Sequence, residues 1–247
     1  MLGKSQTKYI QSLGQKKVRD EQGVFVAEGP KIVAELLASA NAKIQQIYAL
    51  PDWIKANHKD CNGVEIVEAD EKDLEKISQL TTPNKVLAVI KKFEMPADIY
   101  TKGTVSLVLD TIQDPGNLGT IIRTADWFGI EQIFCSNDSA DMYNPKVVQS
   151  TMGSIFRVNM IYNDLSAFLD QWPGIPVLAS SLDGSLLKET KQEKQAFLVI
   201  GNESRGISQG ILQRATVKVR IPGGGDTESL NASVATGILL YWLTVDS

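Results

Sequence analysis

The segment VSLVLDTIQDPGNLGTIIRTADWFG, residues 105–129, joins a predicted buried strand to a predicted helix through a short polar loop. Residues 105–110 form an apolar run that ends on a carboxylate, and residues 117–129 have helical spacing and end at a glycine. Asp114-Pro115-Gly116 predicts a turn, after which Asn117 is expected to cap the helix. A strand followed directly by a helix is the repeating unit of a parallel α/β sheet.

Apolar runs alternate with helical segments on both sides of this unit. Before it, strands are predicted at 24–29, 44–50, 64–69 and 85–93, with helices at 31–40, 51–58 and 70–80. After it, strands are predicted at 131–137, 156–161, 176–182, 195–202 and 216–222, with helices at 145–156, 165–172 and 229–245. Pro96, Gly103 and mixed charges interrupt the pattern. We therefore predict α/β domains at 1–95 and 104–247 with a linker at 96–103, each built on a mostly parallel sheet.

Composition excludes several classes of protein. The chain has 247 residues, of which 43% are hydrophobic and 22% charged, which is typical of a globular protein. Two cysteines, Cys61 and Cys135, exclude a disulfide scaffold, and the single histidine, His58, excludes a His-rich metal site. No apolar run approaches the roughly 20 residues of a membrane helix, so we expect a cytoplasmic protein without a membrane span.

The charge distribution points to a nucleic-acid partner although the net charge is −4. The first 19 residues contain five basic and no acidic side chains, and among them we take Lys16, Lys17 and Arg19 as candidate RNA contacts. A local positive run can bind phosphates while the whole chain stays acidic. The alternative is a solvated helix face.

Two further polar loops follow predicted strands. LVIGNESRGIS, residues 198–208, spaces Gly201 and Gly206 like a phosphate loop, but no lysine follows Gly206, which excludes a P-loop. RIPGGGDTESLNASVATG, residues 220–237, carries three consecutive glycines that allow unusual backbone conformations. It does not match a dinucleotide-binding fingerprint, and Ser229 and Asn231 can be simple helix caps.

The three loops together resemble the three signature motifs of the SpoU (TrmH) family of RNA ribose 2'-O-methyltransferases. The matching stretches are DPGNLGTIIRTADWFG, VIGNESRGIS and IPGGGDTESLNASVATG, in this order. KKVRDEQGVFVAEGPKIVAELL and TTPNKVLAVI are similar to that family's N-terminal substrate-binding domain. The resemblance implies a SPOUT fold with a C-terminal trefoil knot, S-adenosylmethionine as cofactor, an RNA substrate and a homodimer.

The resemblance also implies roles for particular residues. The catalytic positions are Asn117, Arg123, Glu203, Ser229 and Asn231. The cofactor-binding positions are Leu178, Ser180, Gly201, Ile221 and Leu230. No metal is expected. Arg123 keeps its charge in a protein, so we interpret it as a phosphate clamp that stabilises the developing ribose oxyanion rather than as a free base. The sequence departs from the family's usual pattern at GGGDT and at Ala232, which bears on the shape of the pocket.

The final helix carries an apolar stripe formed by Leu230, Val234, Ile238, Tyr241, Trp242 and Val245. The stripe fits either a subunit interface or the core of the domain. The substrate also has alternatives: the N-terminal domain favours ribosomal over transfer RNA. Two other functions compete, a non-catalytic RNA-binding assembly factor and a methyltransferase that acts on a base.

Overall fold

The computed structural model describes residues 2–61, 63–94 and 103–245, which form two compact units. The first unit runs to Glu94 and also contains Asp141–Arg157. The second unit contains the rest of the chain. The predicted linker at 96–103, apart from Gly103, lies outside the described residues. Within the described residues no helix is long and apolar enough to cross a membrane.

Helices and strands alternate through both units. Within the described residues the helices are α1 Lys4–Ser12, α2 Lys16–Gln22, α3 Pro30–Ala38, α4 Pro51–Asn57, α5 Glu71–Ile77, α6 Pro115–Trp127, α7 Pro145–Thr151, α8 Leu165–Asp170, α9 Gln209–Leu212 and α10 Ala232–Thr244. The strands are β1 Val24–Glu28, β2 Ile44–Ala49, β3 Ile66–Glu68, β4 Val86–Lys91, β5 Val105–Leu109, β6 Gln132–Ser136, β7 Asn159–Asn163, β8 Val177–Leu186, β9 Ala196–Ile200 and β10 Val217–Arg220.

The sheet of the first unit is mixed, so the prediction of a mostly parallel sheet there is wrong. Its strand order is β1-β4-β2-β3, and β4 runs antiparallel to both of its neighbours. Only β2 and β3 pair in parallel. The physical reason is that alternation of strands and helices fixes their order but not the direction in which the last strand enters the sheet.

The sheet of the second unit is parallel throughout, as predicted. Its six strands lie in the order β10-β8-β9-β5-β6-β7. Strands β5 and β9 are buried at every position, which explains their uninterrupted apolar sequence. Three rings, those of Phe134, Phe168 and Phe197, pack together in the core on one side of this sheet.

Helix α6 begins two residues before the predicted start. Asp114, rather than Asn117, is its N-cap, and the Asp114 carboxylate accepts a hydrogen bond from the Asn117 backbone N–H at 2.8 Å. Pro115 occupies the first helical position, where its missing N–H costs nothing. Gly129 adopts a φ of 70° just past the end, as its position in the sequence predicts. The Asn117 side chain is therefore free of the capping role.

The predicted helix at 145–156 is interrupted. Helix α7 ends at Thr151 because Met152 and Gly153 adopt φ angles of 52° and 102°, and a single 3₁₀ turn, Ser154–Phe156, follows. Gly153 is the signal in the sequence for this break.

The segment 141–157 packs within the first unit. Asp141 accepts an ion-paired hydrogen bond of 2.6 Å from Arg19, and the Tyr143 ring contacts Phe25 and Phe93. The domain boundaries predicted from the sequence place this segment in the second domain. It packs in the first unit because its contacts are with residues that are distant in sequence. The domain boundaries themselves stay a prediction.

Candidate functional site

The polar loops of the second unit meet at the carboxyl edge of its sheet. Strand β5 leads to β6 on one side, whereas β9, the other neighbour of β5, leads to β10 on the opposite side. The carboxyl ends of β5 and β9 therefore flank the point at which the order of strands reverses, which is where parallel α/β sheets bind ligands. The loop 110–114 follows β5 and leads into α6, and the loop 201–208 follows β9.

Asn117 joins three segments that are far apart in sequence. Its side-chain amide donates a hydrogen bond of 2.5 Å to Glu203 Oε1. Its side-chain oxygen accepts a hydrogen bond of 2.9 Å from the amide of Asn231. Both functions of one amide are thus engaged, which fixes the orientation of Asn117 and leaves Glu203 Oε2 as an acceptor. The structure brings together three of the five predicted catalytic residues.

Asn231 reaches Asn117 because it is the N-cap of α10. Its side-chain oxygen accepts from the backbone N–H of Ser233 at 2.9 Å and of Val234 at 3.4 Å. Helix α10 packs on α6, which starts just before Asn117. The side-chain oxygen of Asn231 therefore caps α10, while its amide contacts Asn117. The catalytic role of Asn231 stays a prediction.

Arg123 and Ser229 are not part of this contact. Both are exposed, and neither side chain makes a hydrogen bond or ion pair with any described residue. Six positions at about 100° each turn Arg123 well away from the face of α6 that carries Asn117. The exposed guanidinium is available to an external anion. The catalytic roles of both residues stay predictions.

The turn after β5 contains polar residues that the sequence analysis did not select. Asp110 accepts a hydrogen bond of 2.6 Å from the backbone N–H of Ser208, and Asn202 donates one of 2.9 Å to the carbonyl of Thr111. A hydrogen bond from Ser136 lowers the pKa of Asp138, which lies beside the same turn and keeps a negative charge there. Asparagine next to a glycine, as at Gly201-Asn202, is the sequence signal for the turn after β9 that contacts Thr111.

The predicted cofactor residues lie at neighbouring strand ends. Gly201 follows β9, Ile221 follows β10, and Ser180 comes after Ala179, the last residue of β8 that pairs with β9. A side chain at Gly201 would overlap the backbone of Gly206 and Ile207, so only glycine fits. Leu178 is buried, whereas Leu230 is exposed.

The chemistry of these residues fits an adenosine-type ligand. Among the described residues, no hydrogen bond engages the backbone of residues 222–230, so its N–H and C=O groups are free for a ligand. The three glycines of this segment have no neighbour that a side chain would meet. Free backbone groups beside apolar side chains such as Ile221 and Leu230 are what a nucleoside site requires. The individual cofactor contacts stay predictions.

Arg19 is not placed to bind RNA, which corrects one of the three predicted contacts. Its side chain is 2% exposed, pairs with Asp141, and donates to the carbonyls of Leu13 and Gly14. A buried, paired guanidinium cannot reach a phosphate without losing these contacts.

Lys16 and Lys17 remain available for RNA. Their side chains are 63% and 85% exposed. Each faces an acidic side chain four residues later on α2, and the ion pair with Asp20 raises the pKa of Lys16. Such exposed pairs are weak and can be exchanged for phosphate contacts.

No cluster of three or more His, Cys, Asp or Glu side chains that could hold a metal ion occurs in the described parts of the chain. The expectation that no metal takes part stays a prediction.

Comparisons with known proteins match both parts of the chain. A model of the SpoU rRNA Methylase family matches residues 104–241, and a model of the MRM3-like substrate binding domain matches residues 4–88. The chain belongs to the SpoU rRNA methylase family. The predicted family and enzyme class are thereby confirmed.

Similar proteins cover nearly the whole chain. The 23S rRNA (guanosine(2553)-2'-O)-methyltransferase RlmP of Bacillus subtilis is 30% identical over 92% of this chain and 91% of its own. A structure of a putative RNA methyltransferase of the TrmH family from Porphyromonas gingivalis has a TM-score of 0.90 and 36% identity, and covers 100% of both chains. An AdoMet-bound rRNA methyltransferase from Sinorhizobium meliloti has a TM-score of 0.88 and 31% identity, with 98% of this chain and 95% of its own covered.

Proposed function

We propose that this SpoU family member transfers a methyl group from S-adenosylmethionine to a ribose 2'-hydroxyl of ribosomal RNA. The observation that carries the proposal is the line of hydrogen bonds from Asn231 through Asn117 to Glu203, which joins all three family motifs at the carboxyl edge of the sheet. The predicted cofactor is confirmed by the AdoMet-bound relative, which shares the fold over nearly the full length. The RlmP relative, which matches both units, supports ribosomal RNA as substrate.

The alternatives are less well supported. A transfer-RNA substrate is not named by the RlmP relative, which matches 92% of this chain and is an rRNA methyltransferase. A non-catalytic assembly factor does not require Asn117, Glu203 and Asn231 to remain in contact. A base as methyl acceptor disagrees with the ribose 2'-O specificity in the name of the RlmP relative.

The chemistry asks the protein mainly for alignment. When bound, S-adenosylmethionine supplies an electrophilic methyl group on its sulfonium. The second N–H of the fixed Asn117 amide and the free Oε2 of Glu203 present a donor and an acceptor at the point where β5 and β9 end. These groups can hold a ribose hydroxyl in one orientation. Holding it there lowers the entropic part of the activation free energy.

Arg123 acts on the RNA side of the reaction. Its guanidinium stays protonated, so it binds a phosphate and stabilises the negative charge that develops on the ribose oxygen. Its exposure and its lack of a partner among the described residues support this role, because no internal ion pair has to be broken.

We infer that the C-terminal segment of the second unit passes through a trefoil knot. Strand β10 lies at one edge of the sheet, yet Asn231, eleven residues later, contacts Asn117 beyond β8 and β9. Residues 180–184 leave the ladder between β8 and β10, so the path of the chain is irregular at this edge of the sheet. Gly184 supports a tight passage, because a side chain there would overlap the backbone of Lys218 and Val219.

We propose a homodimer formed through α10. Val234, Ile238, Tyr241 and Val245 are exposed along one stripe of this helix, whereas Trp242 is buried. The four exposed residues thus fit the subunit-interface interpretation of the stripe, whereas Trp242 fits the interpretation as part of the domain core. An apolar cavity of about 420 Å³ beside Ile238 is lined also by Leu186, Leu187, Pro222 and Ile221, the last being a predicted cofactor contact.

Light scattering tests the dimer. The expected mass is twice the 27.0 kDa of one chain, and Ile238→Asp should reduce it to one chain. Leu182→Asp, at a more exposed apolar residue outside α10, serves as the control and should leave the mass unchanged. A wild-type chain that is monomeric at micromolar concentration would contradict the proposal.

A cytoplasmic location and RNA binding through Lys16 and Lys17 stay predictions.

The proposed reaction itself is tested with tritiated S-adenosylmethionine and undermethylated ribosomal RNA, with transfer RNA in a parallel assay. We expect label in ribosomal RNA. Label in transfer RNA alone would show that transfer RNA, not ribosomal RNA, is the substrate. Cofactor binding without any methyl transfer would favour the assembly-factor function.

A further inference from the structure

Thr111 adopts a backbone conformation that its side chain disfavours. Its φ is 60°, in the left-handed region, where β-branched residues are outliers. Such residues persist only where the surrounding structure holds them, and they concentrate at functional sites. Thr111 lies at the end of β5, three residues before the N-cap of α6. Its conformation therefore sets the path of the loop that delivers Asn117.

Contacts from two other segments hold Thr111 in place. Its backbone N–H donates a hydrogen bond of 2.8 Å to Ser136 Oγ, at the end of β6. Its carbonyl accepts one of 2.9 Å from the side-chain amide of Asn202, which follows β9. Its hydroxyl lies 3.1 Å from Asp110 Oδ1 and 3.2 Å from Asp138 Oδ2. The backbone N–H and the backbone C=O of Thr111 are thus both hydrogen-bonded to side chains.

Asn202 serves two loops at once. Its side-chain oxygen accepts from the backbone N–H groups of Ser204 and Arg205, at 2.9 and 3.1 Å, and so shapes its own turn. Its amide nitrogen reaches the other loop at Thr111. Glu203, the next residue, is the one that accepts from Asn117. The Asn202–Thr111 contact therefore fixes the spacing of the same two loops that meet again at Asn117 and Glu203.

We propose that Asn202 is a positioning residue for methyl transfer. By holding Thr111 at positive φ, it keeps Glu203 within hydrogen-bonding distance of Asn117. The inference rests on the methyl-transfer function proposed above. Asn202 acts through Thr111 and does not itself need to touch the RNA.

The variant that removes this donor is Asn202→Asp. Aspartate has the same shape and keeps the oxygen that shapes the turn, but it cannot donate to the Thr111 carbonyl. We expect kcat to fall about tenfold, the equivalent of one hydrogen bond. The KM for RNA and the Kd for S-adenosylmethionine should stay within about twofold of wild type, because the loss concerns alignment rather than ground-state binding.

Thr111→Gly provides the rescue. Glycine keeps both backbone groups and adopts positive φ without steric cost, so this variant alone is the reference for the double variant. In the double variant with Asn202→Asp, glycine at position 111 removes the steric cost of the positive φ in the loop after β5. The kcat of the double variant should therefore be at least about threefold higher than that of Asn202→Asp alone. Ser136→Ala, which removes the acceptor of the Thr111 N–H, should lower kcat and be rescued by Thr111→Gly in the same way.

The outcomes separate the inference from the function on which it rests. A wild-type chain that transfers no methyl group would overturn the proposed function. An active wild type with wild-type kcat in folded Asn202→Asp would overturn the inference alone. Losses that add in the double variant, or lost cofactor binding in a folded Asn202→Asp, would also overturn it. If Asn202→Asp does not fold, Ser136→Ala with and without Thr111→Gly decides by the same criteria.

Discussion

Replacing Glu203 by glutamine tests the hydrogen bond at the centre of the site. The carboxylate accepts from the Asn117 amide at 2.5 Å. Hydrogen bonds to a charged group contribute about 1.5–3 kcal/mol, against about 0.5–1.5 kcal/mol for neutral pairs. Glutamine keeps an acceptor but loses the charge, so the difference is about 1–1.5 kcal/mol. At about 1.4 kcal/mol for each factor of ten, kcat should fall about 5- to 12-fold.

Asn117→Asp should be more damaging than Glu203→Gln. It removes the donor and places a second carboxylate beside Glu203. Two like charges about 4 Å apart repel by about 4 kcal/mol at the effective dielectric near a protein surface, so kcat should fall more than about 100-fold. The assay is single-turnover transfer of tritiated methyl groups to undermethylated ribosomal RNA.

Glu189→Gln removes the same charge from an exposed position of the same unit and serves as the control. Its kcat should equal that of wild type. Wild-type kcat in Glu203→Gln, or an Asn117→Asp enzyme at least as active as Glu203→Gln, would refute the reasoning.

Three further predictions follow from the described geometry. Arg123→Ala should lower methyl transfer about 10²–10³-fold and leave calorimetric cofactor binding intact, with poor rescue by Arg123→Lys; full activity in the alanine variant would remove this residue from the site. Arg19→Ala should lower the free energy of unfolding by about 3–5 kcal/mol in denaturant titrations, because it leaves the partly buried Asp141 without its partner; a loss below about 1 kcal/mol would contradict the structural role. Charge reversal at Lys16 and Lys17 should weaken RNA binding and reduce its salt slope by roughly 0.7–0.9 for each lost phosphate contact, and an unchanged slope would identify a solvated face.

The second unit was predictable because its signals are local. Buried strands such as β5 are uninterrupted apolar runs, and the loops that follow them carry the motif residues. Parallel strands bring their carboxyl ends to one edge, so the meeting of Asn117 with Glu203 follows from the fold. The family motifs supplied the remaining candidate positions, of which Arg123 and Ser229 stand apart from that contact.

Other features depend on partners that are distant in sequence. Asp141, 122 positions from Arg19, turns a candidate RNA contact into a buried ion pair, and the charge pattern near residue 19 does not reveal it. The direction of β4 depends on two neighbours that precede it by some 40 and 60 positions. The positive φ of Thr111 has no signal of its own, because glycine or asparagine is the usual residue in that conformation.

Mapping 2'-O-methylated nucleotides tests the central claim most directly. Undermethylated 23S ribosomal RNA is incubated with the purified chain and S-adenosylmethionine, and the products are cleaved in alkali. A methylated 2'-oxygen cannot attack its phosphate, so we predict a new alkali-resistant linkage that Glu203→Gln forms more slowly. Methyl transfer that leaves every linkage alkali-sensitive would place the methyl group on a base and contradict the account.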